Sequence, residues 1–324
     1  MPSTQKVHLD KMLTNISIGY ENEDFICDKI FKPVVVEKQS DRYYVFGKEK
    51  FRVVDDKRAP GTTANEVKWD FAHDTYYCEG HALRHFIPDE ELQNNDGDFD
   101  LEVEATELIS EKVLLAKEAL CAEKIMDENN YDSSLRFATD NSGDRKKWDH
   151  EDSNPIKDIE EAKTAIHKAS ALMPNTLIIS RPVYNALRLH PKLLGIFKNT
   201  EVSLVPINFM KEFFQVDEIL IGSVLKSDKD SIMPFKGTGS AGDDGVLNYM
   251  YGNSAVLAYI PKSPRRKTPS LGYAYMWNKD GEGPVQVRKF YNEDNRSTVV
   301  EAERWYDLKM VSNIAGAIFP DVID

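Results

Sequence analysis

A long helical pattern between residues 98 and 126 constrains the fold of this chain more than any other feature. At 100° per residue its apolar side chains form one stripe with flanking positions: Leu101, Ala105, Leu108, Leu115, Ala119, Ala122 and Met126, flanked by Ile109, Val113, Ala116 and Leu120. Asp98 and Asp100 can cap its N-terminus. Lys112 lies inside the stripe and is predicted to reach solvent or meet a carboxylate. A helix of about 28 residues is roughly 42 Å long, which predicts a strut across a domain.

Length and charge limit the class of protein. The chain has 324 residues with 41 Lys or Arg and 54 Asp or Glu, so its net charge is −13. A single core stops growing near about 250 to 300 residues, which predicts two or more sub-domains. Hydrophobic residues make up 41% of the chain, enough to bury a core. Phosphate neutralisation needs clustered Lys and Arg, so the acidity argues against a nucleic-acid-binding surface, although not against a protein that encloses nucleic acid.

The N-terminal sequence lacks the apolar region of a signal peptide, and no stretch approaches the roughly 20 apolar residues of a membrane span. These features predict a soluble, cytosolic chain that contacts no membrane. The three cysteines, Cys27, Cys78 and Cys121, lie far apart and form no CxxC pair. They are therefore predicted to be reduced thiols rather than a disulfide framework.

The first thirty or so residues show no sustained period, which is typical of an arm laid over another surface. From residue 33 to 88 the pattern becomes β, with strands predicted at 34–36, 41–46, 51–54 and 67–71 and a turn centred on Pro60-Gly61. This pattern predicts a long hairpin with a charged tip. A two-stranded ribbon cannot bury both faces, so its own chain or a neighbouring copy must cover its aromatic side chains: Tyr43, Tyr44, Phe46, Phe51, Trp69, Phe71, Tyr76 and Tyr77.

The remaining chain is predicted to be a mixed α/β region followed by a second hairpin. Residues 127–154 are polar and predicted to be a loop that is partly disordered. The α/β elements are a helix opened by Pro155, a strand at 176–180, a helix from Pro182, and strands at 219–222 and 255–260. The final hairpin pairs residues 284–291 with 297–312, whose alternation buries one face against the long helix.

Few residues suggest catalytic chemistry. Cys78, His81 and His85 could ligate zinc, but a β segment places Cys78 on the opposite face, so ordinary sheet residues are favoured. The glycine-rich segment 237–245 lacks the ending of a phosphate loop, and the carboxylates of 96–100 are better explained as a helix cap than as a calcium loop. No local sequence matches a nucleophile signature, and the remaining histidines are single and scattered. No cofactor or metal is predicted.

The order of these elements resembles that of the major capsid proteins of tailed bacteriophages with the Hong Kong 97-type fold, over nearly the whole chain. Local wording is similar as well, at residues 13–20 (LTNISIGY), 58–61 (RAPG), 154–163 (NPIKDIEEAK), 174–177 (PNTL), 190–191 (HP), 251–253 (YGN) and 268–273 (TPSLGY). None of these is a catalytic signature, and their common order carries the resemblance.

The resemblance implies an α+β fold with an N-terminal arm (1–32), an extended loop (33–86), a peripheral domain (87–154 and 284–324, with a spine helix at 98–127) and an axial domain (155–283). It implies a non-enzymatic subunit that self-assembles as pentamers and hexamers into an icosahedral head, built in the bacterial cytoplasm and enclosing double-stranded DNA. Scaffolding would come from a separate protein or be unnecessary, and portal and any decoration proteins would be separate chains. An encapsulin-like nanocompartment is the alternative with the same fold, and a metal-dependent hydrolase using His81 and His85 is the alternative of another class.

Contacts between copies are expected at the loop tip and in a compact basic run. The tip contributes charged and turn residues, its ribbon contributes aromatic residues, and the basic run, which lies between two prolines, contributes arginines. The expected contact residues are Lys57, Arg58, Pro60, Trp69, Phe71, Arg265 and Arg266. Lys57 lies near the tip, but no motif identifies a crosslinking partner for it.

Overall fold

The computed structural model describes residues 10–20, 22, 24–45, 56–58, 60–61, 63, 72–95, 100–141, 143, 145–195, 204–227, 246–264, 268–281 and 283–324. Its helices are α1 (Lys11–Gly19), α2 (Cys27–Ile30), α3 (Asp89–Asn94), α4 (Leu101–Met126), α5 (Pro155–Ser170), α6 (Arg181–Leu189), α7 (Pro191–Leu194) and α8 (Ile207–Phe214). Its strands are β1 (Lys32–Val36), β2 (Ser40–Val45), β3 (Ala72–Tyr77), β4 (Glu79–Pro88), β5 (Thr176–Ser180), β6 (Glu218–Gly222), β7 (Leu225–Ser227), β8 (Leu247–Tyr249), β9 (Ala255–Ala258), β10 (Gly272–Trp277), β11 (Val285–Asn292), β12 (Ser297–Met310) and β13 (Gly316–Phe319).

The 14-residue strand β12 organises the first sheet. It pairs antiparallel with β4 along one side and with β11 and then β10 along the other, while β1 runs parallel to β10. The predicted hairpin is confirmed, with Asn292 opposite Ser297. Its predicted alternation is confirmed as well, because Val300, Ala302 and Tyr306 are buried. The same buried face also carries Arg304, which the sequence analysis did not single out.

The predicted long helix is confirmed as α4, and it packs on this sheet. Asp100 caps it by accepting hydrogen bonds from the backbone N–H groups of its first turn. Its buried face is rotated from the predicted stripe, since Leu108 is 45% exposed while Ile109 and Val113 are buried. Lys112 is exposed and reaches solvent, as predicted, although the stripe that contains it is not the buried face of α4. Ile109 and Val113 share an apolar core with residues of the sheet such as Ile87 and Val300, so this flank is the contact.

The second sheet has the order β13-β9-β5-β6, in which only β5 and β6 are parallel. Every residue of β5 is buried because both faces of the sheet are covered. Leu177 and Ile179 pack into a core with α5, α6 and α8, whereas Ile178 packs into another core that includes Cys121 of α4. The predicted mixed α/β region is therefore confirmed in its elements.

The described part of segment 127–154 is largely irregular, as predicted, with short 3₁₀ helices at Glu128–Asn130 and Ser133–Leu135, but it is firmly packed. Tyr131, Leu135 and Trp148 are fully buried. The indole N–H of Trp148 donates to Asp158 of α5 at 3.1 Å, and the Trp148 ring lies 5.2 Å from that of Phe319. A few large apolar side chains therefore anchor this loop to the core. The mostly polar composition of the segment does not reveal them.

The N-terminal segment differs from the prediction because it contains α1 and α2. Asp10 caps α1 through the backbone N–H groups of Met12 and Leu13. Each helix is too short to show a sustained period, which explains why the pattern was missed. Both helices pack against the first sheet and α4 of the same chain. None of the helices in the described ranges is long and apolar enough to cross a membrane.

Candidate functional site: the extended loop and the arm junction

The predicted contact residues divide into exposed residues and residues outside the described ranges. Lys57, Arg58 and Pro60 are exposed. Gly61 has φ +84°, a conformation that favours glycine, in agreement with a turn at Pro60-Gly61. Trp69, Phe71, Arg265 and Arg266 lie outside the described residues. A role for these seven residues in contacts between copies stays a prediction.

The base of the extended loop is a hairpin, as predicted, in which β2 pairs antiparallel with β3 from Ser40 opposite Tyr77 to Val45 opposite Ala72. The described parts of this hairpin and the exposed tip lie within the predicted extended loop (residues 33–86), and we keep that name for the region. On either side of the hairpin, β1 and β4 belong to the first sheet. The predicted strands at 51–54 and 67–71 lie outside the described residues.

The chain itself covers the aromatic base of this hairpin. The Tyr76 ring stacks on that of Tyr275 with centroids 4.5 Å apart, and the Tyr43 hydroxyl donates to Asp74 at 2.8 Å. Burial, with Asp74 beside it, raises the pKa of Tyr43, and that hydrogen bond lowers the pKa of Asp74. Tyr77, in contrast, is 55% exposed. The loop therefore leaves the body of the subunit from an anchored base.

The arm is fixed to the first sheet by hydrogen bonds at α1. Backbone Val287 N–H donates to Thr14 Oγ1 at 3.0 Å, and Asp10 N–H donates to Val287 O at 3.0 Å. Arg304 of β12 donates through Nη2 to the carbonyl oxygen of Ser17 at 2.9 Å. Arg304 is 7% exposed, and burial lowers its pKa. The end of α1 thus depends on a buried cation.

A second set of contacts joins the arm to α4, and we call it the arm junction: Cys27, Asp28, Lys117, Glu118 and Tyr251. Glu118 accepts hydrogen bonds from the backbone N–H groups of Ile26 at 3.0 Å and Cys27 at 2.9 Å, which cap α2. The Tyr251 hydroxyl donates to the same carboxylate at 2.5 Å, and Lys117 forms an ion pair with Asp28. Both α4 residues are almost fully buried.

Burial determines the protonation of the arm junction. Removal of water from the Glu118 carboxylate raises its pKa, against the opposing effect of its three hydrogen bonds. Burial likewise raises the pKa of Tyr251. Lys117 and Glu118 were not predicted from the sequence. At 100° per residue Lys117 lies about 60° from the mean direction of Ile109 and Val113, and Glu118 lies almost opposite to it, so no single apolar stripe includes both. Their burial comes from the elements that cover this end of the helix, which apolar periodicity does not reveal.

Exposed apolar side chains mark a further surface, the small hairpin of β7 and β8. Leu225, Val246, Leu247 and Tyr249 are 39%, 64%, 62% and 37% exposed. Apolar residues clustered on an exposed surface are typical of interfaces between protein chains. The glycine-rich segment 237–245 between these strands lies outside the described residues.

Zinc binding at Cys78, His81 and His85 is not supported by the local geometry. In the part of the chain that the structure describes, no three His, Cys, Asp or Glu side chains converge as metal ligands. Cys78 donates to the carbonyl oxygen of Tyr275 at 3.4 Å, and burial raises the pKa of its thiol to about 12. The His81 ring stacks on that of Tyr306 with centroids 4.1 Å apart. Packing accounts for these side chains.

A serine and a histidine do meet at Ser153 and His190, with 2.9 Å between Oγ and Nε2. The other ring nitrogen, Nδ1, accepts from the backbone N–H of Lys192 at 3.3 Å. This assigns the proton to Nε2, which then donates to the serine, the reverse of a general base. Burial also lowers the pKa of His190. The pair stabilises the chain near α7 rather than activating a nucleophile.

Comparison with known proteins points to one class. No family model matches the chain. It is 28% identical to the major capsid protein of Burkholderia phage BcepMu over 284 residues, which cover 86% of each chain. It is 26% identical to the major capsid protein of Pseudomonas phage JBD67 over 217 residues, 66% of this chain and 68% of that one.

Solved structures agree with the sequence relatives. A phage-related protein from Bordetella bronchiseptica RB50 matches with a TM-score of 0.77 and 25% identity over 98% of each chain. The capsid of cyanophage P-SCSP1u (TM-score 0.55, 10% identity, 90% and 86% covered) and the SrpI encapsulin complex of Synechococcus elongatus PCC 7942 (TM-score 0.52, 10% identity, 100% and 94% covered) share the fold alone. Taken with the anchored arm and the extended loop, these relatives support a major capsid protein of the tailed-phage class.

Proposed function

We propose that the chain assembles with copies of itself into pentamers and hexamers of an icosahedral phage head that encloses double-stranded DNA. The observation that carries this proposal is the similarity to the BcepMu major capsid protein over 86% of both chains. The role is structural rather than catalytic. The anchored base and exposed tip of the extended loop support it, because such a loop offers contacts outside its own subunit.

In detail, we propose the Hong Kong 97-type organisation: an arm at 1–32, an extended loop at 33–86, a peripheral domain at 87–154 and 284–324 with α4 as its spine helix, and an axial domain at 155–283. The two sheets support a division into two domains, although β10, within 155–283, belongs to the first sheet and β13, within 284–324, belongs to the second. The contacts between copies would include Lys57, Arg58, Pro60, Trp69, Phe71, Arg265 and Arg266. Scaffolding, portal and decoration proteins are proposed as separate chains, and assembly as occurring in the host cytoplasm.

The charge of the chain suits DNA as cargo rather than as a ligand. A net charge of −13 gives a subunit little attraction for phosphates, so a wall of such subunits would not hold DNA while it is packed. The cargo is the property that separates this proposal from an encapsulin-like compartment, whose fold is shared at 10% identity.

Nuclease protection tests the proposal in particles purified from infected or induced host cells. After DNase treatment, particles of this chain are expected to retain double-stranded DNA that is released only when the shell is opened. Empty particles, or particles that retain an enzyme and no DNA, would contradict DNA as the cargo. A chain that stays monomeric in every fraction would contradict the shell itself.

A further inference from the structure

Two buried thiols meet where the arm joins α4. Cys27 begins α2, Cys121 lies one turn beyond Lys117 on α4, and they are 3% and 0% exposed as free thiols. Both side chains belong to the same core cluster, and the neighbouring Cys121 thiol helps to raise the pKa of Cys27.

Other contacts hold both residues in place. The backbone N–H of Cys27 donates to Glu118 at 2.9 Å, and the Tyr251 hydroxyl approaches Cys121 Sγ at 3.7 Å. Because Glu118 also accepts from Tyr251, these contacts connect the two cysteines through groups that do not react.

A cavity of about 380 Å³ reaches Cys27 but not Cys121. Cys27 lines it together with Tyr20, Lys117, Glu118 and Arg304. The third thiol, Cys78, lies in a different core beside Tyr275 and does not line this cavity. It is an internal control for oxidation of a buried cysteine without a partner thiol.

We propose that Cys27 and Cys121 form a reversible oxidation site, at which a peroxide converts the two thiols into a disulfide that ties the arm to α4. The Cys27 thiolate attacks one peroxide oxygen, the O–O bond breaks, and a sulfenic acid forms with release of water once the departing oxygen takes a proton. The Cys121 thiolate then attacks that sulfur, the S–O bond breaks, and a second water leaves. Two thiols lose two electrons, and hydrogen peroxide is reduced to two waters.

Burial of the Cys27 thiol limits the rate of this reaction. It raises the pKa of Cys27 well above the ordinary value, with the neighbouring Cys121 adding to the shift. The thiolate is therefore scarce at neutral pH, so oxidation is slow and accelerates with pH. A reducing cytosol would leave the thiols free during assembly, and an oxidising medium would close the disulfide afterwards. This inference goes beyond the proposed function and does not depend on it.

Peptide mapping tests the site directly, because trypsin places the three cysteines in separate peptides: residues 12–29, 69–84 and 118–124. The folded wild-type chain is treated with hydrogen peroxide, unfolded without reductant, alkylated with iodoacetamide and digested. We expect peptides 12–29 and 118–124 to be linked and to separate in dithiothreitol, with peptide 69–84 alkylated. The Tm is expected to rise by about 4–8 °C, reversibly, because the disulfide restricts the unfolded chain.

The matched variants are Cys121→Ala, which should abolish the linked peptide and the rise in Tm, and Cys78→Ala, which should retain both. Three results would overturn the proposal: full alkylation of Cys27 and Cys121 after peroxide, a disulfide that involves Cys78 or joins two chains, or irreversible oxidation of Cys27 without a link. If a variant fails to fold, the wild-type map alone decides among these outcomes.

Discussion

Along α4, residues 105–113 and residues 117–121 contact the rest of the chain in different ways. The first part packs with Ala105, Ile109 and Val113 against apolar residues of the first sheet and α1. The second part presents Lys117 and Glu118 to the arm through hydrogen bonds and an ion pair, beside the apolar packing of Cys121. Both parts are buried, but charged groups make the second depend more strongly on direction and distance.

This difference gives the two parts of α4 different roles, one in the stability of the whole chain and the other in the position of the arm. Apolar burial stabilises in proportion to area and tolerates small shifts. A buried carboxylate tolerates few shifts, because an unpartnered donor or acceptor there costs about 1–3 kcal/mol. The first part of α4 is therefore expected to determine global stability, and the arm junction to determine where the arm lies.

Ile109→Ala is expected to produce the largest effect. The side chain is 3% exposed, so its truncation removes apolar contacts and leaves a cavity, at a cost of about 3 kcal/mol in the free energy of unfolding. Urea denaturation measures this loss. The matched control is Leu108→Ala, one position along on the 45% exposed side, which should cost well under half as much. Equal losses of unfolding free energy in the two variants would contradict a stabilising role for the buried face of this part of α4.

Glu118→Gln is expected to have a smaller and more local effect. An amide can still accept hydrogen bonds through its oxygen, but its NH₂ group would face the backbone N–H of Ile26 or Cys27, at a cost of about 2 kcal/mol. Hydrogen exchange should show faster exchange at these two amides with little change in the first sheet.

The matched control for this variant is Glu104→Gln, an exposed carboxylate on the same helix. It should leave exchange at the arm unchanged. If Glu118→Gln instead accelerates exchange across both sheets equally, the arm junction belongs to the global core and not to a separate contact.

The pH dependence of the arm junction sharpens the comparison further. The pKa of Glu118 is raised in the folded chain from its ordinary value of 4.5, so its contribution to stability is fully present below about pH 4.5 and is lost as the pH rises through the folded-state pKa. The stability of the wild type minus that of Glu118→Gln should therefore decline over that range. Urea denaturation at a series of pH values measures it, and a difference that increases with pH would contradict the buried carboxylate.

Sequence reasoning recovered the elements whose periodicity is long or sharply bounded. The long helix, the strand at 176–180 and the final hairpin follow directly from apolar spacing and turn residues. It failed where burial depends on partners distant in the chain. Arg304 is buried because Ser17 accepts its hydrogen bond, and Lys117 is buried because Asp28 lies 89 residues away in the chain but beside it in space.

The candidate site shows the same division. The turn at Pro60-Gly61 and the exposure of Lys57 and Arg58 could be predicted from turn chemistry and charge. The arm junction could not, because short helices such as α2 have no periodic signal and are fixed by tertiary contacts. Which residues of one copy contact another depends on surfaces that a single chain does not bring together.

Electron microscopy of the purified chain, beside a variant that lacks residues 55–63, tests the central claim most directly. The wild type is expected to form closed shells or capsomers, with scaffold where one is required. The variant should keep the circular dichroism and Tm of a folded subunit but fail to close shells, because the tip supplies contacts between chains rather than core burial. A wild type that remains monomeric under all assembly conditions, or a deletion that unfolds the isolated subunit, would contradict the account.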